Sequence, residues 1–196
     1  MSNYVIALLA EDLTDCATVQ KIIHRVLGSH IKTKPWGADG GGNLQNKKKL
    51  VAKIKNLSKQ GCNVFIIIND LDRDPQTKAL KDEVALRNKL EAAASEFRDI
   101  NKYICIPIEE IEAWFWSDPD IVSRITQGRG RVSANPEQIE KPKDKFIALS
   151  IEGNKKPRYS TNMNAELAKT LDLERCSACC PSFKYLLKFL ESLSKD

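Results

Sequence analysis

Three unbroken apolar runs set the rhythm of the chain. Tyr4 to Ala10, Val64 to Ile68 and Tyr103 to Ile108 are short and apolar at successive positions, which predicts strands buried on both faces. Between them apolar residues recur every three or four positions. Val19, Ile22, Ile23, Val26 and Leu27 predict a helix, with Asp12 or Thr14 as its N-cap and Gly28 closing it. A glycine-rich connection, GADGGGN, then leads to a lysine-rich helix with Leu50, Ile54 and Leu57 on one face. Leu80, Val84, Leu86, Leu90 and Ala94 predict a long helix over 78–97, and another is expected over 109–116.

This alternation predicts an α/β fold with a mostly parallel sheet flanked by helices, and no hairpin interrupts it. Residues 118–160 are polar and rich in Gly, Pro and Lys, and are read as an irregular basic insertion or lid holding one or two short helices. Terminal helices are expected over 164–171 and 183–193. The domain reading is therefore an α/β core over 1–117, with 118–196 packed on that same core. A chain of 196 residues can build one good core, and 42% apolar with 29% charged residues excludes wholesale disorder. The N-terminus has no basic lead, and no run approaches the roughly 18 apolar residues of a membrane span. A cytoplasmic protein with no membrane partner is expected. Cys176, Cys179 and Cys180 have neither a second cysteine pair nor a nearby histidine, which argues against zinc.

Charge changes the picture. The net charge is +5, and His30 to Gly61 holds eight lysines and one aspartate, while Arg124 to Arg158 holds nine basic and four acidic residues. The acids concentrate at 11–15, 70–74 and 109–120. In an open α/β sheet, ligands bind beyond the carboxyl ends of the strands, and each predicted strand delivers acids there. Glu11 and Asp12 follow the first strand, Asp70, Asp72 and Asp74 the second, and Glu109, Glu110 and Glu112 the third. Carboxylates brought together repel unless a positive charge compensates, and an oxygen-only set without histidine suits Mg²⁺ or Mn²⁺. Asp70 and Asp72 share one side of an extended segment. The alternative reading is a solvated loop, with Asp74-Pro75 as a turn.

The E-D-x-T-D after the first strand and the D-L-D-R-D after the second resemble the Toprim fold of topoisomerase–primase-type proteins. That resemblance implies a Toprim-like sheet in which Glu11, Asp70 and Asp72 bind magnesium and support phosphodiester chemistry. More narrowly, IPIEEIEAWFWSDPD, KPKDKFIAL and RCSACCPSFKYLLKFL make nearly the whole chain similar to a small stand-alone Toprim-like bacterial family, the DUF4276 type. Proteins of that kind are linked to phage defence and mobile elements, which implies a partner such as an ATPase or another defence protein. Asp12 stands where common Toprim sequences have Gly, so it either joins the acids or marks a less tight backbone.

The expected function is metal-dependent cleavage of nucleic acid, DNA or RNA. Asp70, Asp72 and Glu11, with Asp74 beside them, are the candidate metal ligands, and Glu11 is also a candidate general base. Glu110 and Glu112 are candidates for a second metal site. Lys47, Lys48, Lys49, Arg73, Lys143, Lys156 and Arg158 are candidate phosphate contacts, each with a solvated-surface alternative; Arg73 can instead pair with its aspartate neighbours. Tyr103 reads as a strand residue and Tyr159 as part of a basic loop, so neither is a topoisomerase nucleophile. Two rivals stay open. One is a phosphatase using Asp70 as nucleophile, and the other a non-catalytic regulatory subunit that binds metal and nucleic acid.

Overall fold

The computed structural model describes residues 4–38, 41–97, 100–153 and 155–194. Four strands, β1 (Val5–Ala10), β2 (Lys32–Gly37), β3 (Val64–Ile68) and β4 (Asn101–Cys105), form one parallel sheet in the order β2-β1-β3-β4. The helices are α1 (Leu13–Leu27), α2 (Gly41–Leu44), α3 (Lys47–Lys59), α4 (Glu83–Ala93) and α5 (Glu112–Phe115). They continue with α6 (Pro119–Thr126), α7 (Pro142–Ser150), α8 (Asn164–Thr170), α9 (Leu173–Cys179) and α10 (Pro181–Leu193).

The central strands β1 and β3 are the most apolar because both of their faces are covered. Ile6, Leu8, Val64 and Ile66 pack with α1, the C-terminal helices and Trp114 in one core layer. Ala7, Leu9, Phe65 and Ile67 point the other way, onto Leu50, Ile54 and Leu57 of α3 and Leu90 of α4. The period of two along each strand thus divides its side chains between two helical layers.

Strand order positions the site. From β1 the chain first steps to β2 on one side, then crosses to β3 on the other. Helix α1, leaving β1, lies in one layer, while α4, following β3, lies in the other. The connections leaving the carboxyl ends of β1 and β3 therefore diverge, which is the topological switch point where open α/β sheets form their ligand crevice.

Several expectations are corrected. Strand β2 has no counterpart in the sequence reading, because KTKPWG is polar and contains Pro35; both features suit an edge strand. The helix expected over 78–97 covers only Glu83–Ala93, since Lys78 has φ 61° and Arg73 bridges Leu80 in antiparallel fashion. Val84 is accordingly exposed rather than core. The third strand ends at Cys105, and the helix expected from 109 begins at Glu112. Residues 118–160 hold two short helices, α6 and α7, and bury Ile121, Ile125, Phe146 and Tyr159 in the main core. Tyr159, read as part of a basic loop, is only 2% exposed.

Candidate functional site

The segments after β3 and β4 stay paired beyond the strands. Asn69 N–H donates to the Cys105 carbonyl (3.1 Å), Leu71 N–H to that of Pro107 (2.8 Å), and Glu109 N–H returns to Leu71 (3.1 Å). This extension holds Asp70 rigidly at the sheet end and brings residues 109–110 alongside it. On the other side of the crevice, Glu11 follows β1 and Asp12 caps α1, its Oδ1 accepting from the N–H groups of Thr14 (2.7 Å) and Asp15 (3.1 Å). Gly37 lies against this cap: a Cβ there would come within 3.0 Å of the Asp12–Leu13 backbone.

Asp70 is the unusual member. Its Oδ1 is buried and receives no hydrogen bond, a costly state for a carboxylate. Burial, with Asp15, Glu112, Glu11 and Glu110 nearby, pushes its pKa well above the ordinary value. Asp15 is pushed up to about 8 by burial and by the charges of Asp12, Glu112 and Glu11, against a smaller opposing effect from Lys143. These acids share one electrostatic neighbourhood. Asn69, itself buried, donates through Nδ2 to Glu11 Oε1 (2.7 Å) and accepts from Gln45 Nε2 (3.2 Å), while Lys89 donates to Gln45 Oε1 (2.9 Å).

The acids after β4 are held differently. Glu109 is buried with φ 65°, pairs with Arg73 and accepts from the Lys141 backbone N–H (3.4 Å). Both oxygens of Glu110 are taken by Lys143, one by Nζ at 2.8 Å and the other by the backbone N–H at 3.0 Å. Burial works against the charge on Lys143, but its hydrogen bond to Glu110 and the nearby acids lift its pKa above the usual value. Glu112 Oε1 accepts from Asn164 Nδ2 (3.0 Å) and the Tyr159 hydroxyl (3.1 Å), and burial raises its pKa.

Asp72 reaches outward. Its side chain is 64% exposed and pairs with Lys81 at 3.2 Å. Asp74 closes a turn, accepting from the N–H groups of Gln76 (2.9 Å) and Thr77 (2.8 Å). Asp70 and Asp72 both line a cavity of about 280 Å³. Asp72 also borders a larger one of about 700 Å³, lined by Arg73, Lys81, Glu110, Lys141 and Lys143 among others.

Of the residues singled out in the sequence, Glu11, Asp70, Glu110 and Glu112 converge, with Asp72 on the rim and Asp74 turned to its own loop. Among the described residues, no three or more His, Cys, Asp or Glu side chains form a ready-made metal cage. Arg73 and Lys143 reach the larger cavity, though Arg73 pairs with Glu109 rather than with an aspartate. Lys47, Lys48 and Lys49 are exposed in the first turn of α3, with Lys49 bonded to Asn43 (2.7 Å). Arg158 pairs with Glu152 (3.0 Å), and Lys156 is exposed beside it in the chain. The GADGGGN stretch reads in the sequence as a glycine-rich connection. Its Asp39 and Gly40 lie outside the described residues, and Gly41 begins α2. Sequence reasoning missed Asp15, Asn69, Asn164 and Tyr159 as site residues. Only Asp15 carried a signal, standing one helical turn beyond Glu11 in E-D-x-T-D.

Among the described residues, no helix is long and apolar enough to cross a membrane. No curated protein and no solved structure matches the chain. A family model, DUF4276 (domain of unknown function), matches residues 10–191. Because that match spans nearly the whole chain, the protein belongs to the DUF4276 family.

Proposed function

We propose that this protein hydrolyses phosphodiester bonds in nucleic acid with Mg²⁺ or Mn²⁺ held in the crevice between β1 and β3. The observation that carries the reading is Asp70 Oδ1, buried without a partner at the switch point and surrounded by other acids. A carboxylate there is tolerable once a cation supplies the missing partner. The donor set fits: the crevice offers carboxylate oxygens and no histidine or thiolate, which suits a hard divalent ion. Asp70 and Glu11 would hold it, with Asp15 near enough to add its charge and Asp72 at the rim. A Toprim-like identity for the sheet belongs to the same proposal. It is supported by a glutamate and an Asp-x-Asp following adjacent parallel strands.

A bound divalent ion supplies charge neutralisation at the phosphoryl group and a more acidic water. The chain's own residues set the stage for it. Asn69 orients the Glu11 carboxylate, and Asp12 fixes the first turn of α1 and hence the position of Asp15. Tyr159 and Asn164 hold Glu112 in place behind Asp70. The resemblance to defence-linked proteins supports placing this activity in antiviral defence, beside a partner such as an ATPase.

The test is cleavage of labelled single- and double-stranded DNA and RNA in EDTA, Mg²⁺ or Mn²⁺, wild type beside Asp70→Asn. Metal-dependent cutting lost in the variant supports the reading. Calorimetric metal binding without cutting of any substrate would favour a non-catalytic regulatory subunit, a reading consistent with Asp72 being occupied by Lys81. No metal binding at all would sink both.

A further inference from the structure

The two cavities meet at Asp72 and Lys81, which line both, so the crevice opens into one continuous cleft. Lysines line it throughout: Lys89 at the inner end, Lys78 and Lys81 on the segment after β3, and Lys141 and Lys143 at the start of α7. Only Lys143 among these was legible as a phosphate contact. Two of them are held by acids that border the metal crevice. Lys81 is paired with Asp72 in an exposed bridge, and Lys143 occupies both oxygens of Glu110.

An arrangement of this kind has a consequence for binding. The lining of the two cavities carries eight acids against six bases, so while Asp72 and Glu110 keep their lysines the cleft offers a phosphate no net positive charge. A divalent cation in the crevice competes for the same carboxylates, and each carboxylate drawn toward it frees an ammonium. The Lys81–Asp72 bridge is largely exposed and costs little to break. The Lys143–Glu110 pair is better protected, because the Lys143 backbone N–H binds the same carboxylate as its ammonium.

We infer that this cleft binds the phosphate backbone of a nucleic acid strand, and that metal and strand bind cooperatively because Lys81 and Lys143 pass from carboxylate to phosphate when the metal is present. The inference rests on the metal reading above, and linkage makes it reciprocal: the strand must also tighten the metal. Its sign is diagnostic. Added divalent salt ordinarily weakens phosphate contacts by competing with the protein's cations.

The experiment uses the full chain and a fluorescein-labelled single-stranded DNA oligonucleotide, with Ca²⁺ as the metal so that hydrolysis does not intrude. Anisotropy gives the oligonucleotide affinity in Ca²⁺ and in KCl of equal ionic strength, and calorimetry gives Ca²⁺ affinity without DNA. Wild type is expected to bind the strand tighter in Ca²⁺, by roughly 5- to 150-fold, the usual span of coupling between two sites. Lys143→Met and Lys81→Met should each lose most of that gain while binding Ca²⁺ alone more tightly, because the competing ammonium is gone. A lysine with only a structural role would not move the two affinities in opposite directions. If Ca²⁺ binds by calorimetry but weakens the strand as KCl does, the coupling is overturned and the metal reading stands. If Ca²⁺ does not bind, both fall; if the strand binds in neither buffer, the cleft assignment falls.

Discussion

The acids that follow β4 and two that follow β1 and β3, Asp15 and Asp70, lie at one end of one sheet, yet the protein treats them in opposite ways. Glu109, Glu110 and Glu112 are each answered from within the chain, by Arg73, by Lys143, and by Tyr159 with Asn164. Across the crevice, Asp70 keeps an oxygen that nothing answers, and Asp15 is pushed up to about 8. Structural carboxylates are normally given their counter-charge or donors by the fold, as the first group shows. Leaving Asp70 Oδ1 unanswered lowers the stability of the unliganded protein, a cost that the proposed external cation would offset. The contrast separates framework from function more sharply than charge or exposure alone, since both groups are acidic and largely withdrawn from water.

The strongest test of the framework side is Asn164→Leu. It deprives Glu112 of its amide donor and the Tyr159 hydroxyl of its closest acceptor, at 2.7 Å. We expect a loss of about 3 kcal/mol in urea unfolding, since a buried carboxylate loses its partner. Glu112→Gln should cost less than about 1 kcal/mol, because it keeps hydrogen-bonding capacity and removes one of the charges bearing on Asp70. Equal losses in the two variants would mean that the network is not what holds Glu112.

On the functional side, Mg²⁺ should stabilise the wild type by about 2.7 kcal/mol at a concentration a hundred times its dissociation constant. Asp70→Asn should abolish that shift in a thermal melt. An undiminished shift would move the metal away from the crevice.

The crevice acids also give the protein a pH dependence. A carboxyl whose pKa is raised in the folded state holds a proton that the unfolded chain releases. Its contribution to stability is therefore full below the unfolded pKa near 3.8 and is lost as the pH rises toward the folded value, about 8 for Asp15. In EDTA, the wild type should lose stability between about pH 4 and pH 8. Asp70→Asn should be the more stable protein at pH 8, with the advantage shrinking as the pH falls toward 4. Asp74, Glu152 and Glu166, held below their ordinary values by hydrogen bonds, act in the opposite sense. They titrate at the acid end, below the ordinary carboxyl range. A flat profile from pH 5 to 8 would remove the evidence that the crevice acids crowd one another.

The contrast between the two groups was only half legible in the sequence. The apolar runs ending in Glu11 and Asp70 placed both residues at strand ends, because a fully buried strand is written in consecutive apolar letters. Strand β2 was not legible: an edge strand needs little apolar surface, and KTKPWG has little. Without β2 the switch point could not be located, so the meeting of the connections from β1 and β3 came only with the strand order. The partners of Glu110 and Glu112 lie 33 and 52 residues away, set by tertiary packing that no local pattern encodes. Asp72 and Asp74 looked equivalent to Asp70 because alternation in an extended segment predicts one shared side. The chain does not remain regularly extended there: Arg73 turns to pair with Glu109, and Asp74 opens a turn.

That last difference gives the smallest expected effect and a sharp boundary for the site. Asp74 accepts two backbone N–H groups in the 74–77 turn, work that an asparagine oxygen does nearly as well. Asp74→Asn should change stability by less than about 0.5 kcal/mol, whereas Asp74→Ala should cost about 1 kcal/mol through the lost turn bonds. Neither should alter the Mg²⁺-induced thermal shift if the ion sits between Asp70 and Glu11. Should Asp74→Asn diminish that shift while leaving the unliganded melt unchanged, the charge of Asp74 would be acting on the ion directly. The site would then extend along the rim past Asp72, and the contrast between an open crevice and a self-satisfied rim would have to be redrawn there.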